Sequence, residues 1–309
     1  MNSPRRNHDV APTPTSVGHV VTQTSPHPAN PSTVWITTLV ENTVNGRELQ
    51  AEHGLSFLIR TGRHCLLFDT GQSDLLARNA GCLGLELGQI EAVALSHGHY
   101  DHTGGLPAVH AAAPAARLFL HPAAVAPKYA GNPDGTTRPV GLSTAAAQVV
   151  RQAGAAGVWT RKPTEVLDGV FVTGEIPRRT SFEDTGGRFF LDKAGTRADP
   201  LLDDQALFFD TRDGLVVLLG CAHSGVVNTL EYIDQLTGGR PIHALIGGTH
   251  LLLAGPERLE KTVEAIRRRN PAVLAPGHCT GMAALARLWM EFPSQCVSCA
   301  VGTSLRFHR

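Results

Sequence analysis

The chain has 309 residues, enough for one large domain or two small ones, and 42% hydrophobic with 17% charged residues describes a protein with a sizeable core. Lys+Arg and Asp+Glu are both 27, so the formal net charge is zero and there is no electrostatic case for nucleic acid or an anionic membrane as partner. No apolar run reaches the length of a membrane span, and no apolar segment follows Arg5-Arg6, so neither an anchor nor an export signal is expected and the predicted setting is cytoplasmic.

Residues 1–33 are rich in Pro, Thr and Ser and read as a disordered tail, leaving one domain over 34–309. Strands are predicted at 34–39, 55–59 and 65–68, the last two joined by a turn at Thr61-Gly62-Arg63. A short helix over 73–80 leads to a strand at 92–95, then a helix over 105–113 and a strand at 117–120. From about 128 to 200 the chain turns to Gly, Pro, Arg and Asp with little periodicity, apart from a helix at 144–153 and a strand at 170–173. That stretch is expected to be a lid or specificity insert, with Glu175, in Thr173-Gly174-Glu175-Ile176-Pro177-Arg178-Arg179, read as beginning the lid proper. Residues 206–210 and 215–219 then pair through Thr211-Arg212-Asp213-Gly214, a hairpin signal. Val226, Leu230 and Ile233 share one helical face, and Gly238-Gly239 ends that helix. After a buried strand at 242–246, Leu259, Val263 and Ile266 mark a second amphipathic helix, whose closing Arg267-Arg268-Arg269 complements the helix dipole. A strand at 272–274 leads to His278, and 282–291 forms a last helix. The order is α/β, with His97, His223, His250 and His278 each at a strand end. Six scattered cysteines suit reduced thiols better than a disulfide framework, and Cys296-x-x-Cys299 is half of a zinc ribbon with no second pair.

The densest chemistry lies in Ser96-His97-Gly98-His99-Tyr100-Asp101-His102-Thr103-Gly104-Gly105. His97 and His99 alternate, so both point to one side of an extended chain, while Asp101 and His102 follow where the chain bends and are free to face a second site. Imidazoles with one carboxylate suit zinc, iron or manganese, with a coordination position open to water. The competing reading, a His-rich surface loop, is disfavoured by the preceding strand and the flanking glycines.

His97-x-His99-x-Asp101-His102 resembles the signature of the metallo-β-lactamase superfamily. Glu52-His53-Gly54-Leu55-Ser56, Phe68-Asp69-Thr70-Gly71-Gln72, Gly220-Cys221-Ala222-His223-Ser224-Gly225 and Gly277-His278-Cys279-Thr280-Gly281 resemble one branch of it. That branch comprises metal-dependent hydrolase-like proteins and includes the dihydropterin-ribofuranosylaminobenzene-phosphate synthases; the likeness runs from about Trp35 to the C-terminus. It implies a four-layer αββα sandwich. It also implies that His97 and His99 bind a first ion, Asp101 and His102 a second, and that His278 completes the second. The bridging aspartate common in the superfamily is absent: Cys221 or His223 stands near its place, and His223 is taken as a ligand. Asp203-Asp204 is a further candidate carboxylate. Asp69 is expected to orient one histidine rather than touch metal.

For the substrate pocket the candidates are His250, His53 and Asn42, with Arg178 and Arg179 to hold an anionic group, against the alternative of two solvated surface arginines. The expected cofactor is one or two divalent ions, zinc foremost, with iron or manganese open. The leading expectation is metal-dependent hydrolysis of a small anionic or phosphorylated molecule, Asp101 orienting the attacking water. A synthase-like transferase and a non-catalytic small-molecule sensor on the same scaffold are the alternatives.

Overall fold

The chain is seen in a computed structural model that describes residues 32–154 and 157–309; most of the expected tail, residues 1–31, lies outside the described residues. Period-two alternation builds the layers. In β1 (Thr33–Val40), β2 (Ser56–Thr61) and β3 (His64–Phe68), Phe57, Ile59, Leu66 and Phe68 face one core while Leu58 and Leu67 face another. The tight β2–β3 turn passes through Gly62 at φ +58°, a left-handed conformation that glycine adopts without strain.

Helix α1 (Leu75–Cys82), strand β4 (Ala92–Ala94), helices α2 (Tyr100–Thr103) and α3 (Leu106–Ala112), and strand β5 (Arg117–Leu120) follow. The next stretch contains β6 (Tyr129–Gly131), β7 (Thr137–Pro139), α4 (Thr144–Ala153), β8 (Gly157–Trp159), β9 (Thr164–Leu167), β10 (Val170–Val172) and β11 (Phe189–Phe190). The C-terminal third runs β12 (Leu207–Thr211), β13 (Gly214–Leu219), α5 (Val226–Thr237), β14 (Ile242–Gly248), α6 (Pro256–Arg269), β15 (Val273–Gly277), α7 (Met282–Glu291) and β16 (Ser304–His308).

Seven strands form one sheet in the order β16-β1-β2-β3-β4-β5-β8, and six form the other in the order β15-β14-β13-β12-β10-β9. Phe57, Phe68, Phe119, Phe209, Val216 and Ile246 fill the space between them. Leu76, Leu106 and Val109 pack helices on the outer face of the first sheet, and Leu230, Ile233, Val263, Ile266 and Leu288 do so on the second. The result is the expected four-layer αββα sandwich.

Expected as a single lid, 128–200 is divided among layers. β8 extends the first sheet, β9 and β10 extend the second, and only β6, β7 and β11 form a separate three-stranded sheet, in the order β11-β6-β7. Strands of two to four residues between Gly and Pro are too short to leave a period in the sequence. Cys296 and Cys299 pack into different cores, so the half-ribbon is two buried thiols with no shared site. Among the described residues no helix is long and apolar enough to cross a membrane.

Topology sets where the chemistry emerges. β13, β14 and β15 are parallel and in step, with Leu219 opposite Gly247 and Gly248 opposite Gly277, so the segments carrying His223, His250 and His278 leave the sheet at one edge. β3 and β4 are also parallel, and end at Phe68 and Ala94, just before Asp69 and the His97 loop. The two edges meet at Gly220, where an added Cβ would overlap the Ser96 side chain. Only glycine permits that approach.

Candidate metal centre

After β4 the chain stays extended through His99, at φ −77° and ψ 148°, and then enters α2, which carries Asp101 and His102 in its single turn. This switch separates the motif into two sets of donors. In the first, His97 Nε2 lies 2.9 Å from His99 Nδ1, and the ligating atoms of His97, His99 and His223 fall within 4.8 Å of one another. In the second, His102 Nε2 lies 3.1 Å from His278 Nε2, with Asp101 Oδ2 at 3.7 Å and 3.4 Å from the two.

In four of the five rings the nitrogen that faces away is held, while His99 Nε2 is buried with no hydrogen-bond partner. His102 Nδ1 donates to Asp69 Oδ2 at 2.7 Å, and His97 Nδ1 to Ser96 Oγ at 2.9 Å. His223 Nδ1 donates to the Thr185 carbonyl at 2.8 Å, and His278 Nδ1 lies 3.1 Å from Asn42 Oδ1. Asp69 also accepts Ser96 N and Ser96 Oγ, both at 2.6 Å. Such outer contacts fix the tautomer and leave an Nε2 lone pair facing inward, as metal-binding imidazoles require.

Burial and neighbours set the charges. Burial drives His97 and His223 well below the usual imidazole range, helped by adjacent imidazoles, and takes His99 down to about 3. These rings are neutral. Burial also opposes charge on His102, but the carboxylates of Asp69 and Asp101 outweigh it and raise its pKa. Burial likewise opposes the Asp101 carboxylate, yet His102, His278 and His53 hold it well below the usual range. The donor set fits a divalent ion: His223 Nε2 is fully buried with no hydrogen-bond partner, an arrangement costing about 1–3 kcal/mol unless something accepts the lone pair.

Of the two residues expected near the absent bridging aspartate, it is Cys221 that lies between the sets. Its Sγ is 3.2 Å from His102 Nε2, and it also groups with His97. Asp203 and Asp204 do not join the donors. Asp203 accepts Gly98 N at 2.7 Å and Lys128 Nζ at 2.8 Å, and Asp204 accepts Ser224 N at 2.8 Å, so each carboxylate pins the backbone of a histidine-bearing loop.

A cavity of about 650 Å³ opens over both sets. His53 stands at its rim, 55% exposed, with Nε2 3.1 Å from Asp101 Oδ2, and Asn42 lines it as well. His250 sits in the left-handed region at φ +47°, its ring 4.2 Å from that of His223, and groups with Cys221 and His223. The two arginines are elsewhere. Arg178 donates to the carbonyls of His223 at 2.6 Å, Pro200 at 2.7 Å and Leu201 at 3.3 Å, so it braces the His223 loop; Arg179 does not line the cavity. A short arginine pair after a strand carries no sign of which carbonyls it meets.

Sequence reasoning missed Phe189. Its ring centroid lies 5.0 Å from His99, 5.2 Å from His223 and 6.3 Å from His250, an apolar cover supplied by β11. Two residues are too short a strand to announce themselves.

The chain has relatives among known proteins. It is 29% identical over 274 residues to the 7,8-dihydropterin-6-methyl-4-(beta-D-ribofuranosyl)-aminobenzene-5'-phosphate synthase of Methanocaldococcus jannaschii, covering 83% of this chain and 90% of that protein. An uncharacterized protein of the same organism, MJ0448, is 30% identical over 252 residues, covering 81% and 92%. The solved structure of Tm1679, described as a metal-dependent hydrolase of the beta-lactamase superfamily, superposes with a TM-score of 0.75 at 31% identity, over 88% of this chain and 98% of that one. Residues 49–278 match the sequence profile of the metallo-beta-lactamase superfamily, and with the sandwich fold and the donor motif described above, the chain belongs to that superfamily.

Proposed function

We propose that the protein is a metal-dependent hydrolase acting on a small anionic substrate. The observation that carries this reading is the pair of donor sets on one cavity floor, with the outward nitrogens of His97, His102, His223 and His278 held. His97, His99 and His223 would hold one divalent ion, and Asp101, His102 and His278 a second, with Cys221 between them. Zinc is the first choice for such N, O and S donors, and iron or manganese also suit them. Such an ion supplies Lewis acidity and lowers the pKa of water from 15.7 to about 7.

The chain's own residues do the rest. Asp69 keeps His102 in the tautomer with its proton on Nδ1. Asp101 Oδ2, held ionised, orients water over the cavity floor, and His53 at 3.1 Å connects it to solvent. Phe189 keeps bulk water from His99 and His223. His250 lines the substrate side. All six cysteines are free thiols, which supports a cytoplasmic setting as part of this reading.

One observation favours a second reading: the likeness to the synthase spans 90% of that protein. Under it the same floor would serve group transfer from a dihydropterin pyrophosphate to an aminobenzene ribose phosphate. One experiment separates them. Zinc-loaded full-length protein is given phosphomonoesters and lactones in one series and the two synthase substrates in another. Metal-dependent release of hydrolysis products, lost in His97→Ala, supports the hydrolase; a coupled product supports the transferase. Undiminished hydrolysis by metal-free His97→Ala would refute the metal-dependent reading.

A further inference from the structure

The metal floor leaves open what holds the rest of the substrate, and the register of the small sheet bears on that. In an antiparallel sheet, residues directly opposite one another point to the same face. Phe189 is opposite Ala130, and Ala130 is opposite Arg138. Phe189 covers His99 and His223, so that face of the sheet is the site face. Ala130 and Arg138 both line the same cavity. Arg188, one position out of phase with Phe189, also lines the cavity but stacks over Phe190 at 5.7 Å.

Tyr100 N donates to the Val140 carbonyl at 2.9 Å, just past the strand that carries Arg138; Tyr100 lies between the donors His99 and Asp101 in the chain and lines the cavity with Arg138. The strand of Arg138 is therefore tied to the metal loop, and the exposed Arg138 side chain lines the cavity. Leu252, Leu253, Met282 and Trp289 also line the cavity and are 64%, 76%, 80% and 43% exposed. Large apolar side chains exposed together beside a polar floor are the mark of a surface that a ligand covers.

We propose that Arg138, with Tyr100, forms an anion subsite at the cavity mouth, and that the Leu252–Trp289 wall takes an apolar, planar body. The ligand class is an aryl oxyanion whose phosphoryl or carboxyl group meets the guanidinium fork, since that fork matches both geometries with two parallel hydrogen bonds. This rests on the metal-dependent reading only for the orientation of the substrate's reacting end toward His97–His102.

Calorimetric titration of the zinc-loaded full chain tests it with phenylphosphonate, benzoate, inorganic phosphate and neutral benzyl alcohol. For Arg138→Ala, at unchanged zinc content, binding of phenylphosphonate or of benzoate should weaken about tenfold or more, with benzyl alcohol unaffected; Arg138→Lys should recover part of the loss. Whichever anion shows the dependence identifies the group. A Leu252→Ser/Leu253→Ser variant should weaken phenylphosphonate and leave inorganic phosphate unchanged. Anion binding in Arg138→Ala within twofold of the parent for both aryl probes overturns the subsite. If binding follows Arg138 and no ester is hydrolysed, the subsite stands and the hydrolase reading falls. If Arg138→Ala hydrolyses anionic esters with unchanged KM, the reverse holds.

Discussion

Asp69→Asn isolates the support beneath the centre without touching a donor. The Asp69 side chain is fully buried and accepts Ser96 N, Ser96 Oγ and His102 Nδ1 at 2.6, 2.6 and 2.7 Å. With the new amide's oxygen toward Ser96 N, its NH₂ group would point at His102 Nδ1–H, a donor against a donor. The imidazole then has to move its proton to Nε2, which removes the lone pair the second donor set needs. Loss of such an outer partner lowers metal affinity on the order of 10–100-fold, or about 1.4–2.7 kcal/mol. Competition with a fluorescent zinc chelator measures the two affinities separately. The second should fall by that factor, and the first, which Asp69 reaches only through Ser96 Oγ at His97, should fall by less. Equal losses at both, or none at either, would refute the division into two sets.

Acidification should release the two ions in order. Asp69 and Asp101 raise the His102 pKa, so protons compete at the second set as soon as pH drops through that raised value; His99, lowered to about 3, keeps the first set open far below it. Zinc retained after dialysis across a pH series should fall from two equivalents to one before reaching zero, and loss of both together contradicts the assignment. If Cys221 contributes its sulfur between the sets, the cobalt(II) form should show a near-ultraviolet thiolate-to-cobalt charge-transfer band that Cys221→Ser removes and Cys82→Ser, at an exposed thiol, leaves intact. Arg178→Met strips donors from three carbonyls and should lower stability by about 1–3 kcal/mol in urea melts, without changing affinity for phenylphosphonate. Phe57→Ala, which opens a hole between the two sheets, should cost about 3–5 kcal/mol in the same assay.

What could be read before folding was whatever repeats or clusters locally. The run from His97 to His102 announced its donors because all four lie close together in the chain, and the short apolar runs in β2, β3 and β13 announced buried strands. The hairpin of β12 and β13 was legible from its turn residues. Partnerships set by tertiary approach were not. Cys221 and His223 are two residues apart, and only the fold separates the thiol between the donor sets from the imidazole in the first. Asp203 looked like a ligand because it is acidic and near a motif; buried Lys128, 75 positions away, pairs with it instead. β16 carries alternating Leu305 and Phe307, a usable signal in a five-residue strand at the chain end, yet its pairing with β1 spans the whole domain. Phe189 and Arg138 reach the cavity through register in a three-stranded sheet too short to show a period.

The central claim is that residues from the early loop and from the last third of the chain grip the same divalent ions. Anomalous diffraction from crystals of the full chain grown with zinc tests it most directly. The expected map has one peak among His97, His99 and His223 and a second among Asp101, His102 and His278, with Cys221 sulfur adjacent to both. Zinc bound elsewhere on the chain, or an ion at the early loop with His223 and His278 turned away, would contradict it.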